Sequence, residues 1–219
     1  KRGVGMKVID KPGGMAAIEA AAALKKASRA VALTGAGISV GCGIPDFRSP
    51  GGLWTHFAPD EYATLDVFLS NPSKAWRLYR ALGNILAGKE PGEAHRVLSG
   101  LEEMGLLEGI ITQNVDNLHQ SAGSRTVFEI HGDHHHLQCL ECGALEPADE
   151  RALKGEDIPR CDGCGFPMKP NVVLFGEPVR RMEEIDAFLA DCDLLLVIGT
   201  SAQVYPAAGI PQRVKHNNG

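Results

Sequence analysis

Ala30-Val31-Ala32-Leu33-Thr34-Gly35-Ala36-Gly37-Ile38-Ser39 is a run fit for a buried strand, followed at once by a glycine turn. An apolar stretch this short, with no polar alternation, suits a parallel strand covered on both faces. Glycines just past it let backbone N–H groups approach a phosphate at a helix N-terminus. Upstream, residues 15–27 are alanine-rich, with Ile18, Ala21 and Leu24 at helical spacing and Lys25 and Lys26 where the helix dipole favours cations. Helix, strand and glycine turn in that order open a nucleotide-binding α/β unit. Taken alone, the turn is equally compatible with a tight strand-to-helix connection that binds nothing.

Outward from that stretch the rhythm repeats. Gly109-Ile110-Ile111-Thr112-Gln113 and Thr126-Val127-Phe128-Glu129-Ile130 read as two more strands. Leu194-Leu195-Leu196-Val197-Ile198 is the clearest buried strand of the chain, and it too ends on glycine, in Gly199-Thr200-Ser201. Before it, Met182, Ile185, Phe188 and Leu189 mark one helix face, with Glu183, Glu184 and Asp186 outside it. Strands alternating with helices predict an α/β fold, a Rossmann-like parallel sheet with helices on both faces. Residues 50–92 interrupt the rhythm with Trp54, Phe57, Tyr62, Phe68, Trp76 and Tyr79, and read as a helical insertion.

Residues 133–169 interrupt it again, as a small zinc-binding module. Cys139-Leu140-Glu141-Cys142 and Cys161-Asp162-Gly163-Cys164 are two C-x2-C pairs separated by the spacing of a four-thiolate site. Zn2+ prefers a closed tetrahedron of thiolates when its role is structural. The neighbouring His134, His135 and His136 are not needed as ligands, because four sulfurs already complete the shell. Six cysteines, four of them at metal spacing, favour a reducing, cytoplasmic compartment over a disulfide framework. The net charge of −5 makes no electrostatic case for nucleic acid. No apolar run approaches membrane-spanning length, and the basic opening Lys1-Arg2 is followed by no signal-peptide core.

The polar residues cluster where an open α/β sheet binds ligands. Gly43-Ile44-Pro45-Asp46-Phe47-Arg48-Ser49 packs a turn, a carboxylate, an aromatic and a guanidinium into seven residues; Asp46 pairing with Arg48 is the bland reading. Gln113-Asn114-Val115-Asp116 follows a strand, and His131 ends the next one. A dehydrogenase is disfavoured, since the third glycine of its fingerprint is displaced to Gly41 or Gly43. No ribose-binding acid stands at the usual distance either, because Asp60 and Glu61 fall in the aromatic insertion.

Gly35 to Ser39, Gly43 to Ser49, Gln113 to Asp116, His131-Gly132, the two cysteine pairs, Asn171-Val172-Val173-Leu174-Phe175-Gly176-Glu177 and Gly199-Thr200-Ser201 resemble, in order, the sirtuin (silent-information-regulator type) NAD-dependent deacylases. The resemblance spans residues 15–212. It implies cleavage of the nicotinamide–ribose bond of NAD+ and transfer of an acyl group from acyl-lysine to ADP-ribose. His131 then matches the catalytic base, with Asn114 and Asp116 beside it. Gly35, Ala36, Gly37, Ile38, Ile44, Asp46, Phe47, Arg48, Trp54, Gln113, Asn114, Asp116, Gly199, Thr200 and Ser201 match cofactor contacts. Val172, Val173, Leu174, Phe175, Gly176 and Tyr79 match substrate contacts, the first five as a segment to which an extended peptide adds a strand. Cys139, Cys142, Cys161 and Cys164 match structural zinc ligands. The implied organisation is a discontinuous NAD-binding domain (12–49, 93–132 and 170–219), the helical insertion (50–92) and the zinc module (133–169). Acyl-lysine proteins or peptides are the implied partners, with neither nucleic acid nor membrane.

Three departures from the family pattern stand out. Cys42 replaces a serine in the cofactor loop, either as a tolerated substitute or as a redox-sensitive thiol. The Tyr-x-x-Arg that reads acidic acyl groups is here Tyr79-Arg80-Ala81-Leu82, which favours acetyl over succinyl unless Arg80 or Arg77 stands in. After Lys215-His216 comes Asn217-Asn218-Gly219, read as a polar turn, beyond which the family's further strand is expected; without it NAD affinity would weaken and a sheet edge would be bare. Two other functions fit the same residues: a mono-ADP-ribosyltransferase using the same NAD site, and a non-catalytic NAD- or zinc-dependent interaction module.

Overall fold

β1 (Ala30–Thr34) is buried along its whole length because it lies between two parallel neighbours and under helices on both faces. The computed structural model describes residues 14–149, 152–153 and 155–218. Lys1, Arg2, the first two residues of the 12–49 segment and Gly219 lie outside them. The main sheet runs β3-β2-β1-β7, all parallel, with β2 at Gly109–Thr112, β3 at Val127–Glu129 and β7 at Leu194–Ile198.

Side chains of β1 alternate between two cores, as pleating requires. Val31 and Leu33 meet Ile111, Ile185, Leu189, Ile210 and Val214, so α7 (Met182–Leu189) and α8 (Ile210–Asn218) cover that face. Ala30 and Ala32 meet Ile38, Leu98, Leu107 and Ile110, so α5 (Glu93–Glu103) covers the other. α1 (Met15–Lys26) forms where its composition predicts, but of its apolar stripe only Leu24 reaches the core, and Ile18 is 64% exposed.

Two expectations are corrected. β7 is the outermost strand of the described sheet and is only half-buried, with Val197 exposed. Five aliphatic residues in a row read as a doubly covered strand, yet edge position is decided by which strand pairs where. Asn217 and Asn218, expected in a turn, instead end α8, where His216 Nδ1 meets the Gln212 carbonyl at 2.9 Å.

The third core joins the two interrupting stretches. Here α2 (Pro59–Tyr62), α3 (Leu65–Ser70) and α4 (Pro72–Leu86) pack on a three-stranded antiparallel sheet of order β5-β4-β6. These strands are β4 (Gly132–Cys139), β5 (Leu145–Pro147) and β6 (Met168–Val172). α4 starts cleanly, with Asn71 Oδ1 accepting from the Lys74 N–H and Pro72 in the first turn. Its Trp76 is fully buried, and the indole donates to the Met168 carbonyl at 2.9 Å. Phe68 and Met168, equally buried beside it, contribute about 1.5–3 kcal/mol each. The short α6 (Leu118–Ser121) follows β2.

Candidate active site

In the sheet register Thr34 lies opposite both Thr112 and Ile198, so β1, β2 and β7 end at one level. The chain leaves β1 toward β2 on one side, while β7 lies on the other, so the ends of β1 and β7 form the topological switch point where open α/β sheets bind ligands. The two glycine turns meet there backbone to backbone. Gly37 N–H donates to the Gly199 carbonyl at 2.8 Å, and a Cβ on Gly37 would stand 2.8 Å from Gly199 Cα. Gln113 ties in the third loop, its amide donating to Thr200 Oγ1 at 2.8 Å.

A cavity of about 750 Å³ opens over these turns. Gly35, Ala36, Gly37, Asp46, Phe47, Arg48, Trp54, Gln113, Asn114, His131, Gly199, Thr200 and Ser201 line it, together with Tyr79 and the whole of 172–176. Asn114 also lines a second, smaller cavity, and there Ile44 and Asp116 are found. Ile38 lines neither of the two; it lies beneath the turn in the core against Leu98 and Ile110. The first glycine turn continues into a seven-residue 3-10 helix, Ala36–Cys42, which turns Ile38 inward.

His131 Nδ1 lies 3.1 Å from the Gln113 carbonyl. A carbonyl only accepts, so Nδ1 carries the hydrogen and Nε2 of the neutral ring holds the lone pair. Burial pulls the imidazole below its ordinary value, with the charge of Arg48 adding to that and the bond to Gln113 opposing it. The ring is therefore a neutral base at physiological pH. Gly132, with φ +77, bends the chain straight after it, and a Cβ there would fall 1.8 Å from the Asn171 carbonyl oxygen.

Asp46 does not pair with Arg48. It accepts from the Ser49 N–H at 2.8 Å and from the Arg48 N–H at 3.1 Å, and the Ser49 bonds hold its carboxyl below the usual range. Phe47 packs on Trp54 at 4.9 Å, and Trp54 faces Phe175 at 6.4 Å, so two aromatics of one loop and a third from a distant segment gather beside the cavity.

Behind Asn114 lies a buried network that sequence reading missed. Ser39 Oγ donates to Asp116 Oδ2 at 2.6 Å and accepts from Asn114 Nδ2 at 3.2 Å, with His95 Nε2 at 3.4 Å. His119 Nε2 contacts Thr34 Oγ1 at 2.9 Å, and burial drives this imidazole down to about 4. His95 thus holds Ser39, a side chain that lines the smaller cavity, whereas His119 holds Thr34 at the end of β1. Cys42 lines neither cavity; its Sγ is 3.9 Å from His95 Nδ1.

The acyl-reading positions separate clearly. Tyr79 and Leu82 line the large cavity, whereas Arg77 and Arg80 do not. Arg77 lies over the Tyr62 ring at 5.7 Å. Arg80 lies over Trp76 and donates to the carbonyls of Glu156 and Asp157 at 2.9 and 2.8 Å. Neither guanidinium substitutes for the one that Leu82 lacks. The Tyr79 hydroxyl is buried without a partner among the described residues, and burial with the nearby Glu177 charge pushes the phenol well above its ordinary value.

The four metal-spaced cysteines converge, with all four sulfurs within 4.8 Å of one another. Zn–S bonds of about 2.3 Å in a tetrahedron place sulfurs about 3.8 Å apart. Cys139–Cys164 and Cys142–Cys161 stand at 3.5 Å, and no cysteine is in a disulfide, so the donor set fits a closed zinc site. His134 is occupied elsewhere, its Nε2 3.2 Å from the Tyr79 carbonyl. His136 Nδ1 lies 2.8 Å from Asp133.

Residues 35–206 match the model of the Sir2 family. An NAD-dependent protein deacetylase of Caldivirga maquilingensis is 44% identical, over 92% of this chain and 79% of its own. An NAD-dependent protein deacylase of Pyrococcus abyssi is also 44% identical, over 92% and 83%. Among solved structures, a Sir2–p53 peptide–NAD+ complex superposes with a TM-score of 0.82 at 36% identity, covering 92% of this chain and 82% of that one.

Proposed function

This chain belongs to the Sir2 family, and from that premise we propose that it is an NAD-dependent protein-lysine deacylase. It transfers the acyl group of an acyl-lysine to ADP-ribose and releases nicotinamide. The observation that carries the reading is the tether of His131: one ring nitrogen is fixed on Gln113 and the neutral ring lines the same cavity as both glycine turns and the 172–176 segment.

Each group has a task that its surroundings support. NAD+ supplies the cleavable nicotinamide–ribose bond and the ribose that accepts the acyl group. The N–H groups of Ala36, Thr200 and Ser201, which have no acceptor among the described residues, suit its phosphates, whereas those of Gly35 and Gly37 already bond Ile198 and Gly199. Asn114, Asp116 and Ile44 suit the nicotinamide side; Phe47 lines both their cavity and the larger one, and Arg48 lines the larger one. His131 Nε2 takes a proton from a ribose hydroxyl once the acyl oxygen has displaced nicotinamide, and imidazole suits that duty at neutral pH. In 172–176, the Val173 N–H is bonded to the His131 carbonyl at 2.8 Å, and among the described residues nothing donates to the Val173 carbonyl. That free acceptor suits the amide N–H of an incoming acyl-lysine, whose burial requires a partner. The zinc is structural. Unpaired cysteines support a reducing, cytoplasmic setting, and no described helix is long and apolar enough to cross a membrane.

Mass spectrometry of products from NAD+ and an acetyl-lysine peptide tests this. Free lysine peptide, nicotinamide and O-acetyl-ADP-ribose should form in equal amounts. Nicotinamide release with ADP-ribose attached to protein, or no release at all, would overturn it.

A further inference from the structure

Lys169 has no solvent exposure at all, in a strand whose neighbours are Met168, Pro170 and Asn171. Its ammonium donates to the Val172 carbonyl at 2.6 Å and stands 3.1 Å from Glu177 Oε2. The Pro170 carbonyl and Gln138 Oε1 follow at 3.4 and 3.5 Å. The same Glu177 oxygen accepts from the Leu174 N–H at 2.8 Å. Burial lowers the lysine from its ordinary value, and the Glu177 charge opposes that loss.

Burying an ion pair is costly, and a well-packed apolar pair often does as well for stability alone. What an apolar pair could not do is bond the main chain on both sides of Val173. Lys169 holds the carbonyl before that residue, and Glu177 holds the N–H after it. Between these two fixed peptide groups lies the one residue of the segment whose N–H engages the His131 backbone and whose carbonyl is open.

We infer that Lys169 and Glu177 are positioning residues for substrate: a buried ionic clamp that fixes the Val172–Leu174 backbone so that the Val173 carbonyl faces the acyl-lysine. The inference rests on the deacylase reading above. It assigns the clamp to peptide binding and not to NAD, because none of its bonds reaches the glycine turns or the 43–49 loop.

Steady-state kinetics on Lys169→Met, Glu177→Gln and the double variant test it, alongside anisotropy of a labelled acyl-lysine peptide and measured zinc content. Losing a charge-assisted buried bond should weaken peptide binding roughly ten- to hundred-fold in Lys169→Met. The KM for NAD should stay near wild type and the zinc content unchanged. Glu177→Gln keeps an acceptor for Leu174 and should lose less, and the double variant should be no worse than Lys169→Met, because the pair acts as one unit. If Lys169→Met does not fold, Glu177→Gln decides by the same split between peptide and NAD. Peptide affinity unchanged, or peptide and NAD affinities falling together, would refute the clamp. The parent reading fails separately, through absence of acyl transfer in the wild type, since the anisotropy measures the clamp without turnover.

Discussion

Replacing Gly37 with alanine tests whether the two glycine turns form one binding surface. The added Cβ would stand 2.8 Å from both Cα and the carbonyl oxygen of Gly199. Carbon atoms settle about 3.5–4.0 Å apart, so the turns would have to separate by roughly 0.7 Å. Both opposing atoms are main chain, so no rotamer change relieves the contact. The bond from the Gly37 N–H to Gly199 would stretch from 2.8 Å toward the limit of a useful hydrogen bond. Misplacement of nearly 1 Å costs on the order of 10²-fold in rate, so kcat/KM for NAD should fall about 10- to 100-fold. That is about 1.4–2.7 kcal/mol of transition-state stabilisation. Peptide affinity, proposed to rest on 172–176, should hold. Gly41→Ala is the control: it lies on the same 3-10 helix, and nothing stands within 4 Å of the position its methyl would take. It should keep wild-type kinetics and gain about 0.4–1 kcal/mol of stability. Initial-rate measurements with NAD varied decide the matter, and Gly37→Ala turning over NAD as well as Gly41→Ala would refute the reasoning.

Three further outcomes are expected. Because burial and Arg48 lower the His131 imidazole, the active neutral form persists below the ordinary histidine value. The acidic limb of kcat/KM should accordingly fall with decreasing pH at a midpoint below about 6.5, and a midpoint above that would contradict the geometry. Acetyl-lysine peptides should be turned over at least about tenfold faster than succinyl-lysine peptides, since an acidic acyl group would meet Leu82 where its paired arginine is needed; Leu82→Arg should narrow that gap in a competition assay. Stripping zinc with a strong chelator should abolish the circular-dichroism signal of the β5-β4-β6 sheet together with activity, and readdition should restore both.

Legibility in the sequence tracked how local each signal was. β1, its glycine turn and the cysteine pairs were readable because strand, turn and metal spacing are written over a few adjacent residues. The exposure of β7 was not, because an edge strand and a central one can share the same five aliphatic residues and differ only in partners. Ile38 was placed with the cofactor contacts by its motif, yet the 3-10 winding of 36–42 turns it into the core. Lys169 gave no sign of burial, since a lone lysine normally lies at the surface. The return of Glu177, eight positions later in sequence, supplies the opposite charge that, with the Val172 carbonyl, makes an interior ammonium tolerable. The disposal of Arg77 and Arg80 was equally hidden, for their directions depend on which helix face meets Tyr62 and which meets 156–157.

The zinc module shares its two strands with segments that border the cavity. β4 starts at Gly132, the residue after His131, and ends at Cys139; β6 starts four residues after Cys164 and ends at Val172, the first residue of the substrate segment. Their pairing sets Cys139 opposite Met168 at the metal end and Gly132 opposite Val172 at the cavity end, with a register shift between. A strand of eight residues spans about 26 Å, so thiolates remote from the cavity still fix the register with which His131 meets Val173. Asp133 reinforces the cavity end, accepting from Asn171 on β6 at 2.6 Å, while Arg180 bonds both Asn171 and Gln138 across the pair. A one-residue slip between these strands would turn every side chain to the opposite face. A metal held by these thiolates would therefore support the proposed chemistry without touching substrate: it would fix one end of a two-strand ribbon whose other end adjoins His131 and the 172–176 segment.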